Sequence, residues 1–409
     1  MAQAKPNIIT SIKGRAADPS LAEFIIIVSL ITSLGALSID AILPALPQIG
    51  SDLHVQNTND RQLTISLFIS GMALGQMFAG PLSDKTGRKP PAYWGYALYV
   101  VGSLLSLFAA SFPVLLSGRF LQGAGISASR TVTIALVRDR YEGSAMARVM
   151  SFVMTVFILV PMLAPTFGQT MLFLAGWRSI FGFYVLVAVT TVLWFALRMP
   201  ETLAPENRVP FSLRRILVAI REIVGIRLAL GFTVVAGLVN GAFLGYLNSA
   251  QQIFQEQYAL GQRFPLYFGA AAFSIGLASL LNSRLVMRLG MSLLARWSLF
   301  AVLGLSVGAL GIALLTAGRP PLWLLMAYLI TAFFCIGILF GNINALAMKP
   351  LGHIAGIGAA VIGSLSTLIS VPIGTVIGQS YNGTILPFVA GMAILVGLSV
   401  VVVHWAESE

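Results

Sequence analysis

The chain has 409 residues, of which 57% are hydrophobic and only 10% charged, and its mean hydropathy is +0.89. Soluble domains carry about 25% charged residues, so composition excludes an ordinary soluble enzyme and indicates a membrane protein. The formal charge of +11 does not indicate nucleic acid, because the basic residues gather in one set of loops.

Residues 1–20 form a short basic tail with Lys5, Lys13 and Arg15. The apolar run that follows is longer than the core of a cleaved signal peptide, and the reading keeps it in the mature chain. A span needs roughly 20 apolar residues. On that length, spans lie near 21–44, 61–81, 92–112, 115–137, 148–170 and 177–198, a first six-helix block over 21–198. The one long polar connection, 199–224, carries Glu201, Glu206, Arg208, Arg214, Arg215, Arg221 and Glu222. Six more spans near 225–250, 264–285, 293–316, 321–346, 356–380 and 384–405 make a second block over 225–405, and 406–409 is a tail. With the N-terminus inside, 19 basic residues fall on the cytoplasmic side against four outside (Arg61, Arg178, Arg263, Arg319) and two within spans. The expectation is an all-α membrane protein of twelve transmembrane helices in two six-helix pseudo-repeats, with both termini and the 199–224 loop cytoplasmic.

One cysteine, Cys335, allows no intrachain disulfide, and the histidines (His54, His353, His404) are scattered. Neither a metal site nor a cofactor is expected. Glycine pairs such as Gly71/Gly75, Gly241/Gly245 and Gly337/Gly341 read as helix-packing positions.

Asp40 is the only acid well inside an apolar segment. An ionised carboxylate there costs a few kcal/mol on insertion scales, so it calls for a partner or a function. Asp40 falls roughly 10 Å below the outer end of span 1, and Arg119 roughly 8 Å below the start of span 4, at 1.5 Å per residue. Equal depth predicts an Asp40–Arg119 pair. Arg130 follows three turns after Arg119 on nearly the same face, and Gln122 lies close to that face. This polar stripe of span 4, with Ser29, Ser33, Ala36 and Asp40 on span 1, is expected to line a water-filled cavity. Asp40 is either half of a structural salt bridge or a proton carrier switched by withdrawal of Arg119. Arg130 either lines the cavity or snorkels to the cytoplasmic face.

Between spans 2 and 3 stands GPLSDKTGRKP, residues 80–90, the one dense charge cluster in the first 130 residues. Polar groups at that density belong at a membrane face. The stretch resembles the loop motif G-x-L-[SA]-D-[RK]-x-G-R-[RK] of the major facilitator superfamily, carried here by Gly80, Leu82, Ser83, Asp84, Lys85, Gly87, Arg88 and Lys89. A degenerate echo, LVMRLG at 285–290, fits an internal repeat. DAILPALP at 40–47 and RFLQG at 119–123 resemble spans 1 and 4 of drug:proton antiporters of the Bcr/CflA type. The resemblance implies that Asp40 and Arg119 serve proton coupling. It also implies that residues 80–90 form a conformational gate, with Asp84 drawn to the start of span 11 near Gly356 and Arg88 and Lys89 paired with Asp139 or Glu142. The family's span-5 motif G-x-x-x-G-P-x-x-G-G is matched at Pro165 and Gly168, while Val160, Ala164 and Gln169 depart from it. Pro161 and Pro165 would bend that helix and Gly168 would permit close packing.

Cavity candidates are Ser33, Gln122, Arg130, Asn240, Phe243, Tyr246, Phe340 and Asn344. The implied function is export of small hydrophobic drugs across the inner membrane by alternating access, driven by the proton gradient, with no enzyme activity. Its partners are the substrate, protons and the lipid bilayer, and the chain is expected to be a monomer. An importer or facilitator of a metabolite on the same fold is the alternative. A channel or an intramembrane enzyme is a remote one, because an enzyme would need a polar catalytic cluster inside the membrane.

Overall fold

The computed structural model describes residues 19–408, apart from the side chains of Arg130, Ser144 and Ala147, and contains helices and loops with no strand among those residues. Helix α1 (Leu21–Asp40) starts where Ser20 accepts a hydrogen bond from the Glu23 N–H (3.2 Å), satisfying one orphan donor of the first turn. A short 3-10 turn, Leu43–Ala45, and α2 (Leu46–Asp52) follow, each with proline in its first turn, where no N–H is needed. Next come α3 (Leu63–Thr86), α4 (Lys89–Leu107) and α5 (Phe112–Arg140). Helix α6 (Gly143–Arg198) is interrupted at Ala175 and Gly176, where Gly176 has φ +73°. The break falls between the two spans expected there.

An amphipathic helix, α7 (Leu213–Gly225), occupies the connection between the two blocks. Helices α8 (Arg227–Gln251), α9 (Phe264–Leu289), α10 (Met291–Leu315), α11 (Leu322–Met348), α12 (Ala355–Gln379) and α13 (Leu386–Glu407) complete the chain. Among the described residues, eight segments are long and apolar enough to cross a membrane. Of these, Arg148–Arg198 has 51 residues and Leu322–Gln379 has 58.

Buried side chains form two main cores. One draws on residues 24–199 and includes Phe24, Phe68, Tyr96, Trp177 and Phe195. The other draws mainly on residues 216–403, joined by Leu43, Leu46 and Ile65 from the first part of the chain. Within the first core the α3–α5 approach is so close that a Cβ at Gly71 would overlap the Phe120 carbonyl, and one at Gly123 the Phe68 carbonyl. Small residues give such helices backbone-to-backbone contact where lipid supplies no hydrophobic drive between them. The close approach brings Arg119 of α5 to the ends of α1 and α3.

Candidate functional site

Asp40 ends α1 and is only 5% exposed. Its carboxylate forms no hydrogen bond or ion pair with any described residue. Tyr184 of α6 and Tyr246 of α8 both lie within electrostatic reach of its carboxylate, so it sits where the two cores meet. The Tyr184 hydroxyl donates to the Leu37 carbonyl (3.2 Å), whereas the Tyr246 hydroxyl is buried with no partner.

The expected Asp40–Arg119 ion pair is absent among the described residues. Arg119 is fully buried and donates to the carbonyls of Thr64 (3.0 Å) and Ser38 (2.9 Å) and to Gln122 Oε1 (2.8 Å). Its guanidinium also lies 4.4 Å from the centre of the Phe68 ring. The depth argument led to the right level of α1, since Ser38 precedes Asp40 by two residues. The arginine fork, however, grips the helix backbone, where fixed carbonyl dipoles replace a counter-charge. Gln122 also departs from expectation. It is fully buried, and its amide donates to Ser103 of α4 (2.7 Å) while its Oε1 accepts from Arg119, so it orients Arg119.

Gly168 meets the same place from α6, where an added Cβ would overlap the Ala41 carbonyl, next to Asp40. Pro161 and Pro165 lie on the turns before it, and the only non-helical backbone angles in α6 are at Ala175 and Gly176. On the other side of this segment, Gly269 and Gly276 of α9 approach Met162 and Ile158.

Of the cavity candidates, Phe243, Tyr246 and Phe340 come together. Ring centroids lie 6.2 Å apart for Phe243–Tyr246 and 5.7 Å for Phe243–Phe340. Phe333, which the sequence did not single out, packs edge-on between Phe243 (5.5 Å) and Tyr246 (4.7 Å). Ser33 is buried with its hydroxyl unpartnered, Asn240 is half-buried, and Asn344 is exposed one turn beyond Phe340, bonded to its carbonyl. The Arg130 side chain lies outside the described residues. Two apolar hollows of about 370 Å³ and 410 Å³, lined by residues of α12–α13 and α3–α5, touch neither Asp40 nor this aromatic group.

The 80–90 stretch folds around Arg88, which is 3% exposed. Arg88 donates to Asp84 (2.7 Å), Asp139 (2.8 Å) and Ser83 (3.0 Å). Burial works against its charge, but Asp139 and Asp84 more than offset this and raise the guanidinium above its ordinary value. Asp84 pairs with Arg88, and no bond joins it to the start of α12; its carbonyl accepts from the Val209 N–H (2.9 Å). Lys89 pairs with neither Asp139 nor Glu142 and instead donates to the carbonyls of Ala196 (3.1 Å) and Met199 (2.7 Å) at the end of α6. A cation there satisfies orphan carbonyls and complements the negative helix end.

Sequence reasoning left Glu201 in the polar loop without a role. Its carboxylate accepts from the N–H groups of Arg88 (2.7 Å), Lys89 (3.0 Å) and Leu203 (3.0 Å), capping α4. Gly87, at φ +102°, lies against it, and a Cβ there would come within 2.6 Å of the carboxylate. Gly80 passes α12 at Ala360, with 3.7 Å left for a Cβ.

Sequence reasoning also missed a polar bridge at the opposite end of the bundle. Asn59 donates to the carbonyls of Gln379 and Tyr381 (2.9 Å each), and Gln379 donates back to the Asn59 carbonyl (3.1 Å). Gln252 donates to Asn59 Oδ1 (2.8 Å) and accepts from Gln62. One turn deeper, Ser66 receives bonds from Asn248 (3.1 Å) and Thr375 (2.8 Å). At the rim, Arg61 pairs with Glu256 (3.1 Å). The amide-rich span ends at 57–62 and 251–257 were the available signal.

The profile of the Major Facilitator Superfamily matches residues 28–375. The bicyclomycin resistance protein homolog of Haemophilus influenzae is 27% identical over 396 residues, covering 94% of this chain and 96% of that one. The multidrug resistance protein MdtL of Klebsiella pneumoniae is 29% identical over 341 residues, 80% of each chain. In three dimensions, the xylose transporter XylE of Escherichia coli superposes with a TM-score of 0.70 at 14% identity, over 93% of this chain and 96% of that one. The chain thus belongs to the major facilitator superfamily and is a non-enzymatic, multi-pass membrane transporter matching the Bcr/CflA drug-efflux type.

Proposed function

We propose that the protein is a proton-driven exporter of small hydrophobic drugs that works by alternating access across the inner membrane as a monomer. The observation that carries this reading is the unpartnered Asp40 carboxylate where the two cores meet, while the buried Arg119, bonded to the Ser38 carbonyl of the same helix, is held entirely by neutral groups. A carboxylate without a fixed counter-ion is free to gain and lose a proton as access changes. The drug-resistance names of the relatives support the export direction.

In this reading the chain crosses the membrane twelve times, in blocks 21–198 and 225–405, with both ends cytoplasmic. Eight apolar segments support it once the 51-residue and 58-residue stretches are each read as two crossings. Helices α4 and α5 add the remaining two, with α5 made less apolar by Arg119, Gln122 and Arg130. The bridge around Asn59 and Gln252 is the outer gate, and the Arg88 cluster holds the cytoplasmic ends of α3, α4 and α5 together. Outside protons reach Asp40 when the bridge parts, substrate leaves the Phe243–Tyr246–Phe340 surface, and the protonated carrier turns inward.

Accumulation of fluorescent dyes and labelled antibiotics in energised cells tests this. Expression should lower accumulation in a way that an uncoupler abolishes, and Asp40→Asn should lose the effect. Accumulation that rises on expression and does not depend on Asp40 would favour a metabolite importer or facilitator.

A further inference from the structure

Helix α7 has three faces where a helix between two blocks needs only two. Ile216, Ala219 and Ile223 are buried, packed in the second core beside α8 and α12. At about 100° per residue, Leu213, Val224 and Leu217 fall within an arc of about 40° that continues this buried face. All three are exposed, by 56%, 52% and 65%. Arg221 and Arg214 follow about 60–80° from the centre of that arc. Their side chains are exposed and form no hydrogen bond or ion pair with a described residue, whereas Arg215 lies about 180° from that centre and faces away from the strip.

The position of the helix says what covers this apolar strip. The chain just before α7 is tied to the membrane-face loop through the Val209–Asp84 bond. At the start of α8, the Arg227 guanidinium lies 4.8 Å from the ring of Trp405, which is 44% exposed near the end of α13. Tryptophan and arginine at the same level of neighbouring helices mark the water–lipid boundary. A helix lying there with one apolar edge flanked by uncompensated arginines matches an acyl-chain surface topped by anionic phosphates.

We propose that α7 is an interfacial helix that inserts Leu213, Leu217 and Val224 into the bilayer surface and binds anionic phospholipid headgroups through Arg214 and Arg221. Because α7 packs beneath α8 and α12, lipid charge then acts on the helices of the second block.

The test uses the full chain in nanodiscs of phosphatidylcholine alone or with one-third phosphatidylglycerol, on a Cys335→Ser background. A nitroxide is placed at Leu217→Cys or at Val218→Cys, its neighbour toward the basic side. The spin label at 217 should meet oxygen several-fold more, and a water-soluble nickel complex several-fold less, than the label at 218. Phosphatidylglycerol should widen that contrast, and the double Arg214→Gln/Arg221→Gln variant should lose the lipid dependence while keeping the fold. Equal nickel access at both positions in both lipids would overturn the insertion. A lipid effect that survives in the double variant would overturn headgroup binding. Protection at 217 that follows protein concentration instead of lipid composition would assign the strip to a second copy of the chain and also overturn the proposal.

Discussion

The two ends of the bundle are held by different chemistry. At the 80–90 end, Arg88 is buried between Asp84 and Asp139, while Glu201 and Lys89 cap α4 and α6. Every one of those bonds stays within the first part of the chain. At the other end Asn59, Gln62 and Ser66 reach Asn248, Gln252, Thr375 and Gln379 in the second part. Those bonds are neutral, apart from the rim pair Arg61–Glu256. Breaking a buried charge pair strands a desolvated ion, which costs several kcal/mol. A neutral hydrogen bond exchanged for water costs about 1 kcal/mol. Charge suits a cluster that keeps helix ends rigid, and amides suit the opening and closing that the proposed outer gate requires.

Substitutions at four positions break or sharpen this contrast. Arg88→Ala should have the largest effect, about 3 kcal/mol, by removing the buried guanidinium that ties Ser83, Asp84 and Asp139 together; a lowered melting temperature in detergent reports it. Gly87→Ala comes next, because φ +102° and the Glu201 carboxylate both oppose a Cβ. A loss of about 2 kcal/mol is expected, and Gly87→Asn should recover little because the carboxylate still blocks it. Asn59→Ala should cost only about 1 kcal/mol in stability. Its main effect should be a roughly tenfold rise in labelling of a cysteine at Ser66 by a membrane-impermeant maleimide, the response of a gate equilibrium to about 1.4 kcal/mol. Arg61→Gln should change stability by well under about 1 kcal/mol, and 0.5 M salt should mimic it.

Much of this fold was legible because a membrane imposes length: apolar runs and the break near residue 176 follow from span length and glycine. Asp40 stood out because no other acid interrupts an apolar run. What stayed hidden depends on side-chain direction. Arg119 was placed at the correct depth, yet depth does not tell a carboxylate from the carbonyl of Ser38 two residues earlier. Glu201 caps α4 from more than 100 residues away, and a loop glutamate in sequence looks like solvated charge. The amide bridge was missed because Asn and Gln at span ends match ordinary interface residues until the two ends are brought together.

The most direct test of the central claim, that Asp40 couples protons to drug movement, is the pH gradient in energised everted vesicles. Wild type and Asp40→Asn are compared as antibiotics, dyes and metabolites are added one at a time. The account predicts that some hydrophobic drugs partly collapse the gradient in wild type and leave it intact in Asp40→Asn. Equal collapse in both, or drug movement in wild type without any proton flux, would contradict it.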